Sequence, residues 1–284
     1  MNPNQFNSPY VQDLAWLVEG HYIVQDFDLN AYWYPDIMDR LMRLDASPES
    51  LNSAISSCKS HFLGSYFETL FSYAIRHLST LKVVLEHIQI ANDTRTLGEV
   101  DMVVKTPDGQ LHQFEIAIKF YLERKDLAPH HWVGPNKNDS LLKKETRARE
   151  HQLEILNTEE GRKTRHHLVG EQEIQPHLLI FGRLYYALDE NNITEINGRN
   201  YDVGYWVRAS DFPSITGNFS YMKLLEKPHW MAMENELNSA IYISLQSVYS
   251  FIRIINEDCR PSHFALWHDN DQINTVLFIV PDTW

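Results

Sequence analysis

A mixed α/β fold, a sheet flanked by helices, is what this 284-residue sequence predicts. Three observations carry the prediction. His61 to Leu78 repeats Phe62, Tyr66, Leu70, Tyr73 and His77 at spacings of three to four, the period of an amphipathic helix. Two segments with period-two alternation flank Pro107-Asp108-Gly109, a strong turn signal. A charged helical stretch is then followed by the buried-strand runs HLLIFGRLYYA and VGYWVR. Helix, strand, hairpin, helix, strand is a mixed α/β order.

Taken in order, residues 10–25 and 36–44 have helical spacing, with Pro35 opening the second, and SPES at 47–50 signals another helix entry. The helix 61–78 leads to a strand at 81–90 and the polar loop ANDTRTLG. Hairpin strands follow at 99–105 and 111–121, then a loop over 123–138 containing Trp132, Gly134, Pro135 and Asn136. Asp139 is a good N-cap for a charged helix reaching Asn157. Strands are expected at 177–187 and 203–208, a mostly helical segment at 234–256, and a last hairpin turning at Asp269-Asn270. No repeat, low-complexity run or linker interrupts the chain. It reads as a single domain, 1–284, with an N-terminal helical part (1–58), a core (59–210) and a C-terminal extension (211–284).

Cys58 and Cys259 form no metal-ligand or CxxC pattern and suit a reducing interior. The first residues lack the basic-then-apolar pattern of a signal peptide, and no apolar run approaches the ~18 residues of a spanning helix. The expectation is a cytoplasmic protein without a membrane partner. A net charge of -13 argues against nucleic acid as partner and would suit a protein partner for the acidic surface. The basic charge is concentrated, however: Lys119 to His167 holds 11 Lys and Arg against 8 Asp and Glu. That local excess favours a phosphate-bearing partner. A solvated helix face bearing Lys143, Lys144, Arg147 and Arg149 accounts for it about equally well.

The hairpin carries the chemistry. Side chains alternate along a strand, so Glu99 and Asp101 share one face of the first strand, and Glu115, Ala117 and Lys119 share one face of the second. If Lys105 faces Leu111 across the turn, Asp101 faces Glu115 and Glu99 faces Ala117. Opposed residues have Cβ atoms roughly 4.5–5.5 Å apart. Two carboxylates so close repel unless a cation lies between them, and Mg²⁺ uses one or two carboxylates in this way. A structural ion-pair network with Lys119 is the plainer alternative.

The arrangement resembles the PD-(D/E)XK nuclease superfamily, with an Asp on one strand and (Asp/Glu)-x-Lys on the next. GEVD at 98–101 looks like its Gly-Glu-hydrophobic-Asp variant. The spacing departs from the pattern, because Glu115 and Lys119 are four apart where two is usual. More broadly, FLGSYFE (62–68), TLGEVD (96–101), the E-x-A-x-KFYL run (115–122), WVGPNKNDSLLKK (132–144), HQL (151–153), GYW (204–206) and RPSHF (260–264) resemble the bacterial family catalogued as domain of unknown function 1853. That resemblance implies a restriction-endonuclease-like core with N-terminal helices and a C-terminal extension. It also implies Mg²⁺ or Mn²⁺ held by Asp101 and Glu115, with Glu68 of the preceding helix as third acid and Lys119 positioning the water. Gln152, Lys143, Asn136 and Trp132 would flank the substrate. The expected activity is metal-dependent phosphodiester hydrolysis on DNA or RNA. The alternative is a nuclease fold that has lost catalysis and binds nucleic acid or protein.

Overall fold

The computed structural model describes residues 5–58, 60, 62–188, 203–232, 240–267 and 275–284. In chain order the elements are α1 (Pro9–Glu19), β1 (Tyr22–Gln25), α2 (Ile37–Ala46), α3 (Glu49–Ser56), α4 (Leu63–Leu78), β2 (Lys82–Ala91), β3 (Thr96–Lys105), β4 (Leu111–Glu123) and β5 (Trp132–Val133). They continue with α5 (Leu141–Arg147), α6 (Glu159–Val169), β6 (Ile174–Ala187), β7 (Val203–Arg208), α7 (Phe212–Ile215), β8 (Tyr221–Leu224), β9 (Ile241–Tyr242), α8 (Leu245–Asp258), β10 (Ser262–Trp267) and β11 (Thr275–Val280). The fold is mixed α/β. No helix among the described residues is long and apolar enough to cross a membrane.

Three elements differ from expectation, each for a local reason. The helix expected over 10–25 stops at Gly20, whose φ of 84° places it in the left-handed region and turns its N–H back to Trp16 and Leu17. Tyr22–Gln25 then pairs antiparallel with β6. The helix expected from Asp139 to Asn157 is broken into α5, a π turn over Ala148–Gln152 and a 3₁₀ turn at Ile155–Asn157, with α6 beyond. Of the helix expected over 234–256, residues 234–239 lie outside the described residues; the helix described there runs from Leu245, where Ser244 and Ser247 form a capping box. Upstream of it Ile241–Tyr242 pairs with β8. The last hairpin is present as β10 and β11, with its Asp269-Asn270 turn outside the described residues.

The chain forms two compact units, one of Met1–Ile118 with Lys143–Gly182 and one of Lys119–Leu142 with Arg183–Trp284. Strands β4 and β6 each run on from the first unit into the second. Within the first unit the strand order is β2-β3-β4-β6, with β1 on β6. One sheet face takes α4, whose Phe71 meets Phe114 and Phe181 edge-on while Phe67 packs on Phe181. The other face buries Val103 and Leu111 against Ile155 and Leu156. Glu115 follows Phe114 directly, so it points away from α4.

Within the second unit β7 pairs parallel with β6 and β11, followed by β10, β8 and β9. Its core joins Phe212 and Ile215 of α7 and Val248 and Ile255 of α8 to Phe264, Leu266, Leu277 and Ile279.

Candidate active site

The turn sets the register, and the register sets the site. Thr106 N–H bonds to Gln110 O, and Gly109, at φ 92°, closes the reversal. Lys105 accordingly faces Leu111, and pairing continues to Met102 opposite Phe114. At the next position the ladder changes partner. Asp101 Oδ2 accepts the Ile116 N–H at 2.9 Å, so a side chain takes over from the backbone where the two strands part. Asp101 is thereby held beside Glu115, close enough for each carboxyl group to shift the other's proton affinity.

Burial dominates the electrostatics. Glu115 is only 2 % exposed. Burial first, then the Asp101 charge, pushes its pKa up to about 7 against the opposing pull of Lys144. Asp101 is raised too, chiefly by burial, while the Ile116 N–H and Lys144 pull it down. The pair therefore holds a proton into the neutral range.

The ammonium beside the pair belongs to Lys144. Its Nζ lies 2.7 Å from Glu115 Oε1 and 3.4 Å from Gln152 Oε1. The π turn explains the second contact. In a regular α-helix the residue two turns beyond Lys144 is seven on, His151. The Leu153 N–H reaches back five residues to Ala148 O, which inserts one extra residue and hands that place to Gln152. His151 faces solvent and Gln152 is half-buried. Gln113 Nε2 donates to the Gln152 carbonyl at 3.2 Å and fastens the turn to β4. Lys144 is thus no part of a solvated basic face. The sequence signal for this is slight: one apolar residue, Ala148, stands four positions after Lys144 in a charged run, and the structure buries it fully.

The remaining sequence-predicted residues are divided. Glu68 sits half-buried on α4, and burial followed by the Asp101 charge raises its pKa. Among the described residues no hydrogen bond or ion pair engages its carboxylate. Glu99 is bonded instead to His87, Nδ1 to Oε1 at 3.1 Å, and His87 itself has a left-handed φ of 51°. Backbone strain of this kind often clusters at functional sites. Lys143 is exposed on α5.

Lys119, Trp132 and Asn136 belong to the second unit. There Lys119 Nζ lies 2.7 Å from Asp139 Oδ2, which also accepts from Tyr121 Oη at 3.3 Å. α5 begins only at Leu141, two residues beyond Asp139, so Asp139 does not cap it; instead it anchors the turn in which Gly134 N–H reaches Asp139 O. Trp132 stands edge-on to Tyr186, and Asn136 is exposed. The Trp284 indole N–H bonds to Pro135 O, tying the chain's last residue to the same turn. Asp139→Ala is expected to cost about 1 kcal/mol, the worth of a half-exposed charged contact with an added hydroxyl bond. Hydrogen exchange at the Gly134 and Lys137 amides should speed up in that variant; wild-type protection there would rule out the anchoring role.

No group of three or more His, Cys, Asp or Glu side chains suited to a metal ion occurs among the described residues. The site in hand is a two-carboxylate pair with an ammonium, and Mg²⁺ commonly needs only one or two protein carboxylates. The donor set fits such an ion in kind: hard oxygen ligands, buried, mutually repulsive when ionised, and already drawing a side-chain cation. Comparison with curated proteins gives no match, and comparison with solved structures gives none either. Residues 12–260 match the model of the family described as Domain of unknown function (DUF1853), and the chain belongs to that family.

Proposed function

We propose that this protein is a Mg²⁺- or Mn²⁺-dependent phosphodiesterase acting on DNA or RNA, built on a PD-(D/E)XK-like core. The observation that carries the reading is the buried Asp101–Glu115 pair on adjacent strands with an ammonium against it. A hydrophobic hairpin gains nothing in stability from two abutting acids, since burying charge is costly unless it serves a partner. The element order α4, β2, β3, β4, α5, β6 supports the same core.

Asp101 and Glu115 would hold the cation, with Glu68 within electrostatic reach as an accessory acid. A bound divalent ion would supply charge stabilisation at phosphorus and lower the pKa of the attacking water. In hydrolysis the water oxygen forms a bond to phosphorus and the bond to the leaving sugar oxygen breaks, with one proton passing overall from water to that oxygen. Exposed Lys143 and Arg147, on the helix that carries Lys144, are placed to meet phosphates.

The test is a panel of single-stranded, double-stranded and branched DNA and of RNA, incubated with Mg²⁺ or Mn²⁺. Wild-type cleavage that is abolished by chelation and by Asp101→Asn, at a Tm no lower than wild type's, is the expected result. Absence of cleavage across the panel would sink the enzymatic reading.

A second reading rests on Lys119, the motif lysine of the resemblance, which is committed to Asp139. On that reading the fold has lost catalysis and binds nucleic acid or a protein partner. Calorimetry separates the two, because a module without a working site should show no Mn²⁺ binding that depends on Glu115.

A further inference from the structure

Of the lysines tied to carboxylates near the middle of the chain, Lys119 and Lys144 differ in their surroundings. Lys119 is held by Asp139 in the second unit, in a bond that braces the 134–139 turn. Its partner acid is a loop anchor with no part in the buried pair. Lys144 belongs to the first unit together with Glu68, Asp101, Glu115 and Gln152. We infer that Lys144, and not the strand lysine Lys119, is the ammonium group of the active site, donating to an anionic phosphoryl oxygen of the substrate beside the Asp101–Glu115 pair. The inference rests on the phosphodiesterase reading for its substrate and on distances for its residue.

Three features of the structure favour Lys144. Its side chain is 15 % exposed while that of Glu115 is 3 % exposed, so the ion pair is largely dry and its charge is weakly screened. An ammonium has three donors, and the contacts made by Lys144 Nζ among the described residues are two, one of them a long 3.4 Å. A further oxygen can therefore be accepted without breaking the bond to Glu115.

The mounting is also specific. The π turn that aligns Gln152 with Lys144 forgoes regular α-helical hydrogen bonding, and such turns appear often at functional sites. A plain structural counter-ion for Glu115 would not need a side-chain amide steering it from behind. The arrangement holds Nζ between Gln152 and Glu115, which fixes its position more tightly than a flexible four-carbon stem would allow alone. By contrast, Lys119 and Asp139 are 32 % and 28 % exposed, and the carboxylate there is shared with Tyr121 Oη. That geometry serves a loop.

The experiment has two arms with separable failures. In the first, cleavage by Lys144→Ala, Lys144→Arg and Lys119→Ala proteins is compared with wild type on whichever panel member wild type cuts. Lys144→Ala is expected to lower kcat by about 10²–10³-fold, the usual cost of deleting one donor to a developing anion. The loss at Lys119→Ala is expected to be smaller. Partial recovery in Lys144→Arg is expected, since charge is restored while the fit is not.

The second arm needs no turnover. Lysine side-chain ¹⁵N resonances of the full-length protein are followed during Mg²⁺ titration, with Lys144 and Lys119 assigned from the arginine variant of each. A Mg²⁺-dependent shift at Lys144 exceeding that at Lys119 supports the assignment. A larger kcat loss for Lys119→Ala than for Lys144→Ala, or a Mg²⁺ response confined to Lys119, overturns it while leaving the phosphodiesterase reading intact. If wild type cuts nothing yet the Lys144 resonance responds to Mg²⁺, the nuclease reading fails and the placement of the ammonium stands. If neither cleavage nor a Lys144 response occurs, both fall.

Discussion

Glu115→Gln should make this protein more stable at alkaline pH while removing the metal-dependent cleavage proposed for it. The pKa of Glu115 in the fold, about 7, lies above the ordinary value of 4.5. Between those values the folded state binds a proton that the unfolded chain does not. The stability of the protonated acid is therefore fully present at low pH and lost as pH rises through about 7. Glutamine never ionises. A tenfold change in proton affinity is worth about 1.4 kcal/mol, so the variant should exceed wild type by on the order of 3 kcal/mol at pH 8.5. The difference should shrink toward zero as pH falls to the ordinary carboxylate range. The pull of Lys144 is already contained in the raised value, and the amide oxygen still accepts from its ammonium.

Activity should move the opposite way. Losing a charged ligand forfeits several kcal/mol of transition-state stabilisation, roughly 10²–10³-fold in rate. Denaturant unfolding at pH 5 and pH 8.5, beside the cleavage panel, measures both. A pH-independent stability difference, or a variant less stable than wild type at pH 8.5, would mean that the buried acid is well compensated and that the pair does not hold a proton near neutrality. Gain of stability with loss of activity is the pattern of a site kept for function at the expense of the fold.

How much of this is legible in the sequence depends on which interactions are local. The hairpin register is readable because one turn fixes it: Pro107 to Gly109 sets Lys105 opposite Leu111, and pairing as far as Met102 and Phe114 follows by counting. The alternation of faces then predicts Asp101 beside Glu115, and the two carboxyl groups do act on each other's ionisation. The exchange of the Ile116 N–H from backbone to the Asp101 side chain is not readable, because nothing in a period-two pattern marks where two strands part.

The pairing of Lys119 with Asp139 escapes sequence reasoning for a different cause. Strand parity puts Lys119 on the same side as Glu115, but parity says nothing about an aspartate twenty residues on that captures the ammonium first. Lys144 sits in a run rich in charge, which reads as a solvent face, and the lone Ala148 that the fold buries is a slight hint against it. The π turn is the least legible feature of all. One extra residue in a helix leaves no compositional trace, yet it decides that Gln152 and not His151 reaches Lys144. Gly20 shows the converse, a single residue whose left-handed conformation ends α1 and frees Tyr22–Gln25 to join the sheet as β1.

Gly161→Ala should be among the most damaging small substitutions in the first unit, at about 3 kcal/mol. Gly161 lies in the first turn of α6, where its N–H bonds to Thr158 Oγ1 at 3.1 Å. The Thr158 hydroxyl in turn donates to Ile155 O at 2.7 Å. A methyl group at 161 would overlap that same Ile155 oxygen and lie 2.7 Å from Leu156 Cα. Both neighbours are backbone and cannot rotate away, so α6 or the Ile155–Asn157 turn must shift. Forced shifts in packed interiors typically cost about 1–3 kcal/mol, and here the hydroxyl bridge is lost in addition. Gly98, the glycine of GEVD, is a built-in control. A methyl there would sit 3.1 Å from Ile155 Cδ1, the free end of a side chain that can yield, so Gly98→Ala should cost under ~1 kcal/mol. The same isoleucine thus meets one glycine through its backbone and the other through its side-chain tip. Because the displaced turn begins three residues after Gln152, Gly161→Ala should also loosen the Lys144–Gln152 contact and lower any cleavage rate beyond what unfolding explains at 25 °C. Equal stability of the two alanine variants in urea would show that the Ile155 turn is free to move, and the rigid seating of Gln152 would then have to be abandoned.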